Sequence, residues 1–347
     1  MFDELKLDPA RIYQSVFGGN ADVPEDIEAI DVLKRTFAKY GITAEVGPKT
    51  TGKGEDGPGV PCDFATQRIF QYSDKNRWQR GNVIGEVGGP DTETFYDTGR
   101  THDTAYGEHC HPNCDCGRFI EIGNSVFMQY VLSENGRQKL DRVNVDFGGG
   151  LERVTMAVAA TDNVFLTDIF QPYIQYLEKN YGVLYADNSK NIEVIVDHAR
   201  AMTFLMMDGC MISNKDQGYF LRRLIRRVLT KLYVMAVPSK VLVELVDLVI
   251  ETLGGIYPMM VEKSEEIRSM LQKEESAFSK NLDKGMKHFE KMTATATAIT
   301  AEDAFLLQTT YGFPIDVIEE LCQERSISVD IPGYHALVQA HKDISRQ

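Results

Sequence analysis

The spacing of apolar positions changes part-way along the chain. Up to about residue 150, short β-branched and aromatic runs alternate with glycine-rich breaks; beyond it, apolar residues recur every three or four positions over long segments. In the first stretch, Ile12-Tyr13-Gln14-Ser15-Val16-Phe17 reads as a strand. Residues 24–40 read as a helix with Ile27, Ile30, Val32, Leu33 and Phe37 on one side, ended by Gly41. Residues 47–59 are polar and glycine-rich, an expected mobile loop that either faces substrate or only connects. Strand-like and polar positions mix over residues 64–78, and the single tryptophan, Trp78, is by its type a core residue.

Residues 85–97 form a glycine turn feeding a strand. Its period of two puts Asp91, Glu93, Phe95 and Asp97 on one face and Thr92, Thr94 and Tyr96 on the other. Carboxylates beside an apolar residue suggest a lined cleft, with a solvated edge as the alternative. Residues 118–130 read as a long central strand packing through Ile120, Ile122 and Phe127. The Glu134-Asn135-Gly136 turn then makes the next strand its antiparallel neighbour. That next strand, Val145-Asp146-Phe147, breaks into Gly148-Gly149-Gly150 and restarts as a helix at Leu151. Three glycines allow close backbone approach, and a helix start offers unpaired N–H groups and the positive dipole end. With Arg153 on the first turn the geometry is phosphate-facing; the alternative is a glycine turn made for steric reasons only. Helices follow at residues 165–181, 194–208, 216–235 (ended by Pro238) and 241–253. A long charged helix from 261 to about 292 comes next, with a stripe of Ile267, Met270, Leu271, Phe278, Leu282, Met286 and Phe289. A small-residue linker at 293–300 leads to 304–325, the expected end of ordered structure.

At 347 residues, with 43% hydrophobic and 25% charged positions, the chain has room for two or three domains. No window holds the roughly 18 uninterrupted apolar residues of a membrane span, and residues 1–6 carry no signal-peptide apolar segment, so no membrane association is expected and the cytoplasm is the expected compartment. A net charge of −14 argues against a general nucleic-acid coat. Against that background Arg222, Arg223, Arg226 and Arg227, with Lys231 beyond, are an unusual concentration of cations. Their i, i+4 spacing pairs Arg222 with Arg226 and Arg223 with Arg227, and an anion-binding role is expected over a solvated face. Of six cysteines, Cys62, Cys210 and Cys322 stand alone. Cys110, Cys114 and Cys116, with one of His102, His109 or His111, would supply the four N/S ligands a structural zinc prefers. His109 is the expected fourth ligand, and a metal-free reduced loop is the alternative.

Several stretches, taken together and in order, resemble alanyl-tRNA synthetases of class II. They are Gly89-Pro90 through Glu93 to Tyr96-Asp97; Glu121-Ile122-Gly123-Asn124-Ser125-Val126-Phe127-Met128-Gln129; Val145-Asp146 with Gly150-Leu151-Glu152-Arg153; Asp197-His198-Ala199-Arg200; Asp208-Gly209; Ser213-Asn214 with Gly218-Tyr219-Phe220-Leu221 and the arginine run; and Tyr311-Gly312-Phe313-Pro314. The resemblance implies an α+β chain. Residues 1–160 would be the later part of a class II catalytic domain on an incomplete antiparallel sheet, and 161–347 a mainly helical region that recognises the tRNA acceptor stem.

The resemblance also implies roles. Arg153 and Asp146 would be the catalytic-site residues, with Asp146 holding the alanine ammonium by a charge-assisted contact. Gly148, Gly150, Glu93 and Arg153 would meet ATP and its Mg²⁺. Trp78, Asn124, Val126 and Asp146 would line the amino-acid pocket. Asn214, Arg222, Arg223, Arg226 and Arg227 would meet tRNA-Ala, while Thr309 stands where many family members carry an Asp that recognises the wobble pair. The chemistry implied is alanyl-adenylate formation followed by transfer to tRNA, run by positioning and charge neutralisation without a protein nucleophile. The first two class II signatures have no counterpart in the sequence. The expectation is therefore a split or truncated ligase acting with a partner chain that carries them, the alternative being a non-catalytic tRNA-binding paralogue. An exposed apolar edge at 12–17 or 120–127 would favour the partner, and a closed sheet the paralogue.

Overall fold

The computed structural model describes residues 1–50, 57–81, 83–294 and 296–344, so the loop expected at 47–59 lies partly outside the described residues. The chain divides into two compact units, Met1–Ile169 and Phe170–Gln347, against an expected division near residue 160.

After a short helix α1 (Phe2–Leu5), the first unit is built on seven strands: β1 (Ile12–Phe17), β2 (Glu45–Val46), β3 (Gln67–Tyr72), β4 (Arg77–Gln79), β5 (Val87–Asp97), β6 (Phe119–Ser133) and β7 (Gly136–Gly149). Their order is β2-β3-β1-β5-β6-β7, with β4 also on β5. The sheet is mixed rather than antiparallel throughout, because β3 runs parallel to both β1 and β2. The cause is helix α2 (Ile27–Ala38), a crossover between β1 and β2 that returns the chain in its original direction. Asp26 caps α2, accepting from the Ala29 N–H at 3.0 Å.

One face of the sheet buries Ile12, Val16, Ile69, Tyr96 and Ile122 beneath Ile30 and Phe37 of α2 and Met156 and Ala157 of α3 (Leu151–Val158). The other face holds an aromatic cluster of Tyr13, Phe70, Tyr72, Phe95 and Phe119 beside Cys110 and Cys114. The Tyr13 and Phe119 rings meet edge-on, 5.0 Å apart.

β6 and β7 are antiparallel neighbours joined at Glu134-Asn135, where Gly136 adopts φ 91°, a conformation open to glycine. The register slips twice between β5 and β6, once on each side of the Asp91–Thr94 segment. These irregularities break strict alternation. Val126 is buried and Phe127 only half-buried, contrary to the packing role expected of Phe127. Trp78 is not a core residue either: it lies on the short β4 and is 36% exposed. Nor is the apolar edge at 12–17 or 120–127, since β1 and β6 are both interior strands. The end strands are the two-residue β2 and the long β7, whose Val143, Val145 and Phe147 share one face and are 55%, 66% and 66% exposed.

The second unit comprises α4 (Gln171–Tyr181), α5 (Tyr185–Met207), α6 (Asp216–Val234), α7 (Val241–Leu253), α8 (Pro258–Glu262), α9 (Ser264–Thr293), α10 (Ala301–Leu306), α11 (Ile315–Gln323) and α12 (Ile331–Ile344). A two-stranded pairing of Ala298–Ile299 with Ser328–Val329, β8 and β9, closes its far end. Of the stripe expected along α9, Ile267, Leu271, Phe278, Leu282, Met286 and Phe289 are buried, while Met270 is only half-buried. α5 starts well before residue 194, its opening turn joined to the rest across a kink at the non-helical Asn188. Order does not end at 325: α12 follows, its start marked by Asp330 accepting from the Gly333 N–H at 2.9 Å. The Ile331-Pro332-Gly333 opening reads as a turn, yet proline is tolerated in a first helical turn.

Gly89 joins β5 closely to β6; a Cβ there would lie 1.8 Å from the Phe127 carbonyl oxygen. Gly89→Ala is expected to cost about 1–3 kcal/mol or more by forcing the strands apart. Thermal melts of both proteins would read this, and an unchanged midpoint would contradict the close approach.

Candidate active site and metal-ligand cluster

Cross-strand pairing assembles the first site. Glu93 on β5 stands opposite Asn124 on β6, which stands opposite Gly148 on β7. One step along, Asp91, Val126 and Asp146 form a second row. Residues directly opposite share a face, and positions two apart on a strand do too, so both rows occupy the face away from α2 and α3. Trp78 on β4 stands opposite Gly89, two residues before Asp91, which extends the same face. Glu93, Asn124, Val126, Asp146, Gly148 and Trp78, singled out from separate stretches, thus lie on one continuous surface.

Two residues not singled out complete its polar network. Ser15 of β1 and Asn76 of the turn Asp74–Asn76 are fully buried. Ser15 Oγ donates to Glu93 Oε2 at 2.9 Å, and Asn76 Nδ2 donates to Asp91 Oδ1 at 2.9 Å and to Glu93 Oε2 at 3.0 Å. Asn124 Nδ2 reaches Asp91 Oδ2 at 3.4 Å. Burial raises Asp91 to about 7, and burial together with the nearby Glu121 raises Glu93. The buried Oδ1 atoms of Asn76 and Asn124 have no donor among the described residues. Two unanswered acceptors beside two carboxyls suit a ligand rich in N–H donors.

Arg153 lies where α3 begins. Its Nη1 donates to the Glu121 carbonyl at 3.0 Å and lies 3.7 Å from the Glu121 carboxylate, and its aliphatic stem packs where a Cβ on Gly150 would meet it at 3.3 Å. Gly150 therefore leaves room for the arginine's return toward the sheet. Arg153, Glu121, Glu93, Asn113 and Lys75 line an open cleft of about 480 Å³. Asp146, by contrast, is exposed on β7.

The three clustered cysteines come together with His102, and their ligand atoms all lie within 4.8 Å of one another. Cys110 Sγ is 3.8 Å from Cys116 Sγ, and Cys114 Sγ is 3.9 Å from His102 Nδ1. These separations match the edge of a tetrahedron of about 3.8 Å that Zn–S bonds of about 2.3 Å would span. His102 Nε2 lies 2.9 Å from the Gly107 carbonyl, the outer hydrogen bond that leaves Nδ1 to face a metal. His109, the expected fourth ligand, is not in this group. His111 is not either: its buried Nδ1 is 2.9 Å from the Tyr72 hydroxyl, and burial lowers the ring to about 4. His102 precedes the cysteines by eight positions, a gap that adjacency in sequence does not reveal.

In the second unit, Asn214, Arg222, Arg223 and Arg226 line a cleft of about 570 Å³ with Tyr219 and Thr309. Arg227 is not among its lining residues; it pairs with Glu320. The arginine run is neither a solvated face nor a bare cationic one. Glu274, buried on α9, takes Arg222 at 3.2 Å and Arg226 at 2.8 Å, and Arg223 pairs with Asp316 at 3.3 Å. Lys231 pairs with Glu320 at 3.0 Å and Glu324 at 3.2 Å. Five cations against these four carboxylates leave an excess of one. Glu274 has no local sequence signal, because it sits within a long run of charged helix.

A sequence model of the tRNA synthetases class II (A) matches residues 60–347. The chain belongs to the class II (A) tRNA synthetase family. Among curated members, an alanine–tRNA ligase of Thermotoga petrophila is 40% identical over 261 residues, covering 74% of this chain and 30% of the relative. One from Petrotoga mobilis is 34% identical over 80% of the chain and 33% of the relative. One from Borrelia hermsii is 34% identical over 99% of the chain and 54% of the relative. The chain thus spans about a third to a half of the length of these synthetases. No helix among the described residues is long and apolar enough to cross a membrane.

The raised Asp91 makes a signed forecast for this synthetase unit. A carboxyl titrating near 4 when unfolded and about 7 when folded contributes stability that is full below about pH 4 and lost as pH rises through 7. Asp91→Asn removes that loss. The melting midpoint of the variant relative to the parent is expected to climb from pH 4 to 7 and level off above, corresponding to at most about 4 kcal/mol. A difference independent of pH would show that Asp91 titrates alike in the folded and unfolded chains.

Proposed function

We propose that the chain is the later part of an alanine–tRNA ligase. Its first unit would contribute to alanyl-adenylate formation from alanine and ATP, and its second would hold the acceptor stem of tRNA-Ala, in the cytoplasm. The observation that carries this reading is the pair of cross-strand rows, Glu93–Asn124–Gly148 and Asp91–Val126–Asp146, with Arg153 beside them. A small amino acid needs a carboxylate for its ammonium, and Asp146 supplies one next to the orphaned acceptor of Asn124. The buried Val126 and the indole of Trp78 would restrict the side chain admitted. Arg153 would neutralise phosphate charge across the cleft from Glu93, the carboxylate suited to Mg²⁺, whose charge would assist in the same way. Family membership and the alanine–tRNA ligase relatives support the same reading.

The second cleft supports a tRNA role of limited electrostatic reach. With most cationic charge answered by carboxylates, Asn214, Arg222, Arg223 and Arg226 would act through shape and hydrogen bonds at a few positions rather than through a broad field. Thr309 offers a hydroxyl at the wobble-pair position, donating in the free chain to the Phe305 carbonyl at 2.7 Å. His102, Cys110, Cys114 and Cys116 would bind one structural zinc, by donor type and separation.

The open edge of β7 supports completion by further polypeptide. A 14-residue strand ends the sheet with an apolar face uncovered, and it also carries Asp146. A segment bearing the other class II signatures, from this protein or from a partner chain, would pair there and enclose the acid. This favours the catalytic reading over a tRNA-binding paralogue.

The test is alanine-dependent ATP–pyrophosphate exchange by the chain alone and with a polypeptide carrying the first two class II signatures. Exchange is expected in the mixture, with Asp146→Asn raising the KM for alanine roughly 10- to 100-fold by loss of a charge-assisted contact. No exchange in either sample, with tRNA binding intact, would sink the catalytic reading.

A further inference from the structure

The metal-ligand loop does more than close on itself. Between Cys110 and Cys114 lie His111, Pro112 and Asn113, and two of these turn back onto the strands of the active face. Asn113 Nδ2 donates to Glu93 Oε2 at 3.3 Å, the oxygen that also receives Ser15 and Asn76. The Asn113 N–H donates to the Tyr72 hydroxyl at 3.3 Å, and that hydroxyl also meets His111. In return Lys75, from the turn that carries Asn76, donates to the Asn113 carbonyl at 3.5 Å. One residue flanked by ligands therefore touches β3, β5 and the Asp74–Asn76 turn. Pro112, Asn113, Cys114 and Asp115 also form a wall of the cleft that holds Glu93 and Arg153.

We infer that the metal bound by His102, Cys110, Cys114 and Cys116 is a strut of the active face: it locks residues 110–116 and, through Asn113, fixes the Glu93 carboxylate and the Asp74–Asn76 turn. The inference rests on the metal reading given above. Metal ligation replaces the two weak contacts Cys110–Cys116 and Cys114–His102 with four bonds of fixed length and angle, so the loop loses its freedom to swing Asn113 away from Glu93. Metal occupancy then governs how well a carboxylate in the cleft is positioned, and not only whether the loop is folded. Asn113 is in this sense a positioning residue.

Hydrogen exchange on the full chain tests this without requiring activity. The protein is stripped with a chelator under reducing conditions, then reloaded with one equivalent of Zn²⁺, with Co²⁺ absorption in a parallel sample reporting thiolate ligation. Metal removal is expected to speed amide exchange about tenfold or more both in residues 102–118 and in 73–78. Asn113→Ala removes the side-chain donor to Glu93 but keeps the backbone carbonyl that Lys75 meets; it is expected to bind one metal per chain with the same cobalt spectrum, to keep the metal effect in 102–118, and to show a smaller one in 73–78. An effect confined to 102–118 in the parent, or an undiminished effect at 73–78 in Asn113→Ala, would overturn the strut. Absence of stoichiometric metal and of a thiolate–cobalt band would instead defeat the metal reading, and the strut with it.

Discussion

The backbone ladder joining β5, β6 and β7 is the constraint on which the candidate active face depends. No loop gathers these residues: Glu93, Asn124 and Gly148 meet because three antiparallel strands stay in register over Asp91–Thr94, Gly123–Val126 and Asp146–Gly149, and Asp91, Val126 and Asp146 follow from the same pairing. A slip of one position would turn every one of these side chains toward the helices. This in-register block is bounded by irregularities, two flanking Asp91–Thr94 between β5 and β6 and one at Met128–Tyr130 between β6 and β7. Gly89, with no space for a Cβ against the Phe127 carbonyl, adds a steric peg.

Polar groups inside that face divide into those already answered and those left for a ligand. Glu93 is secured by Ser15, Asn76 and Asn113 on one oxygen, whereas Asn76 and Asn124 retain buried acceptors without donors. Such incomplete satisfaction is costly in a folded chain and is tolerated where binding completes it. The helical unit takes the opposite course. There Glu274, Asp316, Glu320 and Glu324 answer the cations before any anion arrives, which cross-links α6 to α9 and α11 and explains how so many arginines sit on one helix of an acidic chain.

Much of this could be read from the residues in order. β1, β6, β7, α6, α7 and the α9 stripe followed from periodicity, and the polar face of β5 from its alternating acids. What could not be read were features set at long range. The parallel pairing of β3 depends on how α2 crosses over, and the half-burial of Phe127 depends on a bulge whose partner is thirty-odd residues away. Ser15, Asn76 and Glu274 carry no local mark, since a buried serine, a turn asparagine and a helix glutamate have common ordinary uses. His102 was one of three candidate histidines, and only the chain path between it and Cys110 brings its Nδ1 to the sulfurs. Trp78 is a reminder that type-based burial yields to position: β4 is three residues long.

The outer edge of β7 also bears on how the folded chain behaves in solution. Its unpaired amides and carbonyls, with Val143, Val145 and Phe147 on one side, are a template for any extended peptide, including another copy of itself. A peptide pairing along that edge would shield those side chains from water as well as extend the sheet. Left uncovered, the edge favours assembly of copies side by side as concentration rises, so the solubility of the whole chain turns on a single exposed strand.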